Sequence, residues 1–387
     1  MELGLLLGIF AVGVVIGVPV AFALGIAALV VFWVEGLPLM IGFQRILSGV
    51  SVFSLLAIPF FIFAGELMLH GGIAQRLVKL AAAAVGHIRG GLGTVNVLSS
   101  MLFGGISGSA VADTSALGSL LVPVMKRRGY DPDYAVNVTV TSSIAGIMIP
   151  PSHNMILYSV AAGGTSISQL FLAGIVPGVL MCVCLALAAW LVALKRGYPK
   201  DPFPGWTALA AAFFAAIPGL ITAVIIVGGV LSGVFTVTES GAIGVIYALV
   251  VTVVAYRSLS WDGFTLAVAK AVRTTALVMV LVGCATAFAY LLALYRVPEL
   301  LTQLLFTVSE NPVVVLLMLN LMLLVLGMIM DMAALILICT PIFLPVAESL
   351  GMDPVQFGMV LMMNLGLGLC TPPVGACLFV GCAIGKT

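Results

Sequence analysis

Apolar runs long enough to cross a bilayer recur from one end of this chain to the other, and few sequence features restrict a fold more. A crossing needs about 20 predominantly apolar residues. Residues 165–194 and 209–231 are two of the runs that reach this length, and their recurrence predicts roughly ten or more crossings. Backbone groups in hydrocarbon must find partners within their own segment, so the predicted fold class is an all-α polytopic membrane protein. With 63% hydrophobic and 7% charged residues in 387, a water-soluble fold of this size would aggregate. No hydrophilic stretch is long enough to fold separately, so any soluble partner is another polypeptide. The net charge of +1 gives no sign of nucleic acid. The first run, residues 3–34, is too long for a secretory leader and lacks its basic flank, so it reads as mature membrane structure. Cys182, Cys184, Cys284, Cys339, Cys370, Cys377 and Cys382 lie in apolar segments without a CxxC pair. They read as small core residues, and no metal other than a coupling cation is expected.

An offset of 222 residues superposes Pro123 on Pro345, Gly129 on Gly351, Asp131 on Asp353, Gly146 on Gly368 and Pro150-Pro151 on Pro372-Pro373. The chain therefore reads as two repeats, 1–200 and 201–387. The first has a hairpin at about 91–126 and a broken helix at about 134–163, the second a hairpin at about 312–348 and a broken helix at about 354–385. Lys and Arg of short loops stay on the cytoplasmic side. Placing Arg76, Lys79, Arg89 and Lys126-Arg127-Arg128 there makes the first hairpin re-entrant from that side, and following the chain puts the second hairpin on the opposite face. The repeats are thus predicted to be inverted, the arrangement by which a carrier exposes one site alternately to each side. Segments 37–50, 72–87, 259–273 and 298–308 mix apolar and polar residues at helical spacing and read as interfacial amphipathic arm helices.

Four stretches resist regular helix. The first hairpin turns at Phe103-Gly104-Gly105-Ile106-Ser107-Gly108-Ser109-Ala110, the second at Leu326-Gly327-Met328-Ile329-Met330-Asp331, and each repeat then breaks at its Pro-Pro pair. Irregular backbone at membrane depth is tolerated where it lines a cavity, and the half-helices it frees offer N–H groups to an anion and oxygens to a cation. A hard cation such as sodium takes oxygen ligands. The expected sodium-binding set is Gly105, Ser107, Gly108, Ser109, Asp113, Gly327, Asp331, Gly366 and Thr371. The expected substrate-binding set is Pro150, Pro151, Ser152, His153, Asn154, Pro372, Pro373 and Val374, with half-helices starting at Ser152 and Val374. Carboxylates at membrane depth are costly and mark ion paths, which singles out Asp113 and Asp331; Asp113 also reads as a cap for the returning hairpin helix. Glu239 reads as a helix cap and Glu66 as a solvated end charge. An intramembrane enzyme would need a nucleophile and base or a metal-binding cluster, and three histidines argue against catalysis.

The glycine-serine tip through Asp113, the Ile149-Pro150-Pro151-Ser152 break, Phe235-Thr236-Val237-Thr238-Glu239-Ser240-Gly241, Met330-Asp331-Met332 and Leu369-Cys370-Thr371-Pro372-Pro373-Val374-Gly375 resemble the large membrane subunit of TRAP (tripartite ATP-independent periplasmic) transporters. That resemblance runs the length of the chain. It implies a sodium-driven importer of C4-dicarboxylates, sialic acid or related carboxylates in the bacterial or archaeal cytoplasmic membrane, working by an elevator motion. It also implies two partners, a small four-helix membrane subunit and a periplasmic substrate-binding protein. One departure is expected: the first repeat continues into residues 168–194, whereas the second stops just after its break, leaving out a final span. The competing reading is a stand-alone ion-coupled carboxylate carrier with the same paired hairpins.

Overall fold

The structure, a computed structural model, describes residues 2–387; of Ile106 and Ser107 it describes the backbone alone. The described residues form helices and no β-strand. The opening apolar run divides into α1 (Glu2–Ile16) and α2 (Val20–Val34), which pack together, because Gly17 adopts a left-handed φ of 89° and Pro19 lacks a donor. The amphipathic α3 (Leu39–Val50) precedes α4 (Ala57–His70), and the amphipathic α5 (Ile73–Val85) follows. On α5, Ile73, Ala74, Leu77, Leu80 and Ala81 are buried at helical spacing. Hairpin one is α6 (Gly91–Ser107) and α7 (Ala110–Arg127). The first broken helix is α8 (Pro132–Ser142), α9 (Ala145–Met148) and α10 (His153–Ala161), and α11 (Ile167–Lys195) closes the half.

The second half contains α12 (Trp206–Leu231), α13 (Val237–Val250), α14 (Trp261–Leu294) and α15 (Val297–Val308). Hairpin two, α16 (Pro312–Gly327) and α17 (Met332–Ser349), and the second broken helix, α18 (Pro354–Leu369) and α19 (Ala376–Gly385), complete it. Three expectations change. Six helical segments among the described residues are long and apolar enough to cross a membrane, fewer than roughly ten, because hairpin arms such as the 17-residue α6 and half-helices such as α19 each reach only part of the way. The arm expected at 259–273 is the first part of a continuous 34-residue α14, since no Gly or Pro separates Arg273 from the span that follows. The first broken helix opens twice, at Ser143-Ile144 and again at its prolines.

Small residues let the hairpin tips approach the broken helices. A methyl on Gly104 would lie 2.5 Å from Gly146 Cα, and one on Gly368 would lie 2.4 Å from the Gly327 carbonyl carbon. Gly146 and Gly368 are equivalent in the repeats, so each half uses the same backbone-to-backbone contact. The start of α8 is tied to the end of α11 by Arg196, whose guanidinium reaches Asp131 and Asp133 at 2.8 Å each. That guanidinium holds the Asp133 carboxyl below the usual carboxylate range.

Candidate ion and anion sites at the hairpin tips

Each tip meets the break of its own repeat. In the first half, α6 stays helical through Ser107, so the glycines expected to unwind it serve close packing, and the interruption is only Gly108 and Ser109. Gly108 takes a φ of 62° and sits against the Ser152 and His153 backbone, where a methyl would lie 3.2 Å from His153 N. Its carbonyl accepts from Asn154 Nδ2 at 3.3 Å. A methyl on Gly105 would lie 2.9 Å from the Pro150 carbonyl oxygen. Ser109, not Asp113, is the N-cap of α7, accepting from Ala112 N at 3.4 Å. The capping role expected of Asp113 is therefore taken by a residue one turn earlier, where the side chain can reach the free N–H groups. The Ser107 side chain lies outside the described residues.

Asp113 is fully buried, and neither carboxylate oxygen has a hydrogen-bond partner. Thr114 Oγ1, Ser99 Oγ and Ser152 Oγ are likewise buried without partners. An ionised carboxylate cannot stay in such a place uncompensated, because desolvation costs several kcal/mol. The Ser and Thr hydroxyls around it suit a hard cation, and the Cys377 thiol also lies within interaction range of Asp113 and Thr114. Ser152 caps nothing with its side chain, and it stands at the start of α10, whose first N–H groups point out of the helix.

A polar stripe absent from the expected set backs this site. Asn96, Ser99 and Ser100 recur on α6 at the spacing at which Thr139 and Ser142 of α8 and Ser143 just beyond it recur, and all six are buried. Asn96 Nδ2 donates to Thr139 Oγ1 at 2.6 Å, and the Ser100 and Ser142 hydroxyls lie 3.0 Å apart. Polar residues at i, i+3 and i+4 within an apolar helix were the available signal. The second half has a related bridge, Asn364 Nδ2 to Asn320 Oδ1 at 2.6 Å.

Hairpin two differs. Asp331 is the repeat equivalent of Ser109 and caps α17 by accepting from Ala333 N at 3.0 Å, with its residue surface open to solvent while its carboxyl packs against the start of the helix. Asp113 and Asp331, both singled out as carboxylates at membrane depth, thus occupy different places in their hairpins, the first inside α7 and the second at the cap of α17. The half-helix expected from Val374 begins at Ala376, and the N–H groups of Val374 and Gly375 both donate to the Met328 carbonyl at 3.1 and 3.2 Å. Those donors are engaged by the tip and are not free for an anion. Thr371 Oγ1 donates to Leu367 O at 2.7 Å, and Pro372, Pro373 and Val374 are exposed. Gly327 packs on the Leu365 backbone and Gly366 on Ile144. Break one, by contrast, is buried through Pro150, Pro151 and Ser152 with His153 half-buried. The asymmetry has a cause in α11, where a methyl on Gly174 would lie 2.5 Å from the Met148 carbonyl oxygen. The equivalent Cys370, just past α18, instead meets α8, its thiol donating to the Val140 carbonyl at 3.3 Å.

None of the 15 Lys and Arg residues is buried. Glu66 is less solvated than expected, its carboxylate lying 3.5 Å from His70 Nδ1 and 4.0 Å from Lys270 Nζ. Glu239 completes a capping box with Thr236 at the start of α13, as a cap should.

Residues 7–387 match the family described as Tripartite ATP-independent periplasmic transporter, DctM component. The sialic acid TRAP transporter large permease protein SiaM of Vibrio cholerae is 40% identical over 370 residues, 95% of this chain and 86% of that one. The 2,3-diketo-L-gulonate TRAP transporter large permease protein YiaN of Escherichia coli is 39% identical, covering 99% and 89%. The C4-dicarboxylate TRAP transporter large permease protein DctM of Rhodobacter capsulatus is 34% identical, covering 96% and 87%. Among solved structures, that of the Alcanivorax borkumensis YdaH transporter, reported to have an unusual topology, shares the fold with a TM-score of 0.53 at 16% identity, covering 89% of this chain and 79% of that one.

Proposed function

This chain belongs to the DctM component family of tripartite ATP-independent periplasmic transporters, and on that premise we propose that it is the large transmembrane subunit through which a small organic anion enters the cell with sodium. The family is one of transporter permeases and not of enzymes. The substrate class is a carboxylate, in keeping with the sialic acid, 2,3-diketo-L-gulonate and C4-dicarboxylate relatives. The observation that carries the sodium reading is the buried, partnerless Asp113 with Thr114, Ser99 and Ser152 oxygens around hairpin one. Sodium bound there would supply the positive charge that no Lys or Arg provides at this depth. Asp113 would hold it, Ser109 and the Gly108 carbonyl would shape its entrance, and Asn154 would keep the tip against its break.

For the anion, Ser152 and the free N–H groups opening α10 are the donors in the first half, and Asn154 fixes their orientation. The second half offers the exposed Pro372-Pro373-Val374 segment as a wall, since the prolines have no N–H and the Val374 N–H already donates to the Met328 carbonyl. Such backbone-based recognition is weak, so a periplasmic binding protein is the reasonable source of affinity. We assign a small four-helix membrane subunit as the second partner and the bacterial inner membrane as the location. The paired hairpins support an elevator motion in which α6–α11 and α16–α19 move against α1–α5 and α12–α15.

The test is uptake of the three carboxylate classes into liposomes, with and without an inward sodium gradient and each candidate binding protein. Uptake of one of them that requires sodium and a binding protein is expected. Uptake without any binding protein would favour the stand-alone carrier, and uptake indifferent to sodium would remove the coupling.

A further inference from the structure

On the face that gathers most of the basic residues, α5, hairpin one and α12 enclose an open cleft of about 760 Å³. Its walls are apolar, with Val78 and Ala82 from α5, Leu121 and Val124 from α7, and Ala208 and Ala212 from α12. Its mouth carries Lys79, His87 and Arg128 against one acid, Asp201. Arg128 pairs with Asp201, whereas Lys79 has no salt-bridge or hydrogen-bond partner among the described residues, and His87 Nδ1 is buried without one. The mouth therefore keeps an excess of positive charge over a greasy interior.

Two further observations place this cleft at the level of lipid headgroups. Phe203 and the 78%-exposed Trp206 stand beside it, and the His87 ring packs edge-on to Phe203 at 5.1 Å. Trp, whose indole is apolar with one polar N–H, collects at the membrane–water boundary. The outer face of α12 continues with exposed Phe213, Phe214 and Val224, a surface suited to acyl chains. A soluble anion would gain nothing from the apolar walls, and a zwitterionic lipid would gain little from the charge at the mouth.

We propose that this cleft is a binding site for one anionic phospholipid, with its phosphate at Lys79, His87 and Arg128 and an acyl chain along α5 and α12. The lipid joins the arm α5 to hairpin one, two elements that the proposed transport motion would separate. Occupancy therefore favours the arrangement seen here, a consequence that rests on the elevator reading; the binding itself does not.

The test is native mass spectrometry of the full chain in detergent, titrated with phosphatidylglycerol and with phosphatidylcholine. Wild type is expected to hold one phosphatidylglycerol more tightly than phosphatidylcholine, and Lys79→Gln to weaken that preference by about five-fold. Arg296→Gln, which removes an exposed cation at the start of α15, an element that does not line the cleft, should leave it unchanged. Ala208→Trp, which fills the cleft from α12, should abolish the tight site even where Lys79→Gln fails to fold. Equal retention of the two lipids by wild type, an undiminished preference in both cleft variants, or displacement by excess inorganic phosphate would overturn the proposal.

Discussion

Asp113 sets a carboxylate in a site sealed from solvent, with no Lys or Arg beside it and neither oxygen held in a hydrogen bond of good geometry. Breaking such isolation by binding sodium should stabilise the protein. At a sodium concentration a hundred times its Kd, a ligand specific for the folded state adds about 2.7 kcal/mol. Asp113→Asn keeps the shape and removes the charge. The variant should unfold in sodium-free buffer at or above the wild-type temperature, lose the rise that sodium produces, and show at least about a tenfold loss in sodium-driven uptake. A sodium-dependent rise in melting temperature equal to that of wild type would remove Asp113 from the site. Asp331 poses a different question, since it is a cap. Asparagine caps as well as aspartate, so Asp331→Asn isolates the charge, whereas Asp331→Ala should cost about 1 kcal/mol of stability. Weaker sodium activation in the Asn variant at unchanged stability is expected if the carboxylate contributes to coupling, and normal activation would confine it to capping.

Between elements, the hairpins depend on glycine contacts too close for a side chain. Gly104→Ala or Gly368→Ala places a methyl within 2.5 Å of backbone in the facing segment, and overpacking of this kind costs about 1–3 kcal/mol. Thermal unfolding should fall accordingly and uptake should be lost, while Gly228→Ala, which meets nothing within 4 Å, should be neutral or stabilising. Equal effects at the three positions would contradict the close approach. The tie between α8 and α11 has a pH signature. Because Arg196 lowers the Asp133 pKa, its contribution is complete above the ordinary carboxylate value of about 3.9 and disappears as pH falls through the lowered one. It is thus intact at neutral pH and lost only in strong acid. Arg196→Gln should raise amide exchange in residues 131–136 at pH 7 by about five-fold at most; no change would mean that the bridge does not hold α8.

For the whole molecule, the inverted arrangement proposed for the two halves puts the bases of the two hairpins on opposite sides of the membrane. In a background with the exposed Cys184 replaced, a cysteine introduced beside Arg127 should react with a membrane-impermeant reagent from the cytoplasmic side and one beside Ser349 from the other. Reaction of both from one side would sink the inverted arrangement. The isolated chain has no buried cation for a carboxylate, so direct titration without sodium or binding protein should give a Kd in the millimolar range by estimate. A much tighter value would mean that recognition resides here.

Helical architecture, the duplication and both Pro-Pro breaks could be read directly from residue order, because apolar run length and the recurrence of Gly and Pro act locally on backbone hydrogen bonding. Asp113, Ser152 and Asn154 were legible for the same reason, as polar groups set in apolar surroundings. Packing settled what local pattern could not. Ser107 and its neighbours stay helical because α6 is held against Gly146, and Ser109 takes the cap that Asp113 was expected to provide. Val374 and Gly375 lose their availability to a carbonyl 46 residues earlier in the chain for Val374, that of Met328. Asn96 and Ser142 acquire meaning only when α6 meets α8. Burial and partnership of this kind depend on which surfaces meet across the fold, and no window along the chain contains both sides of such a contact.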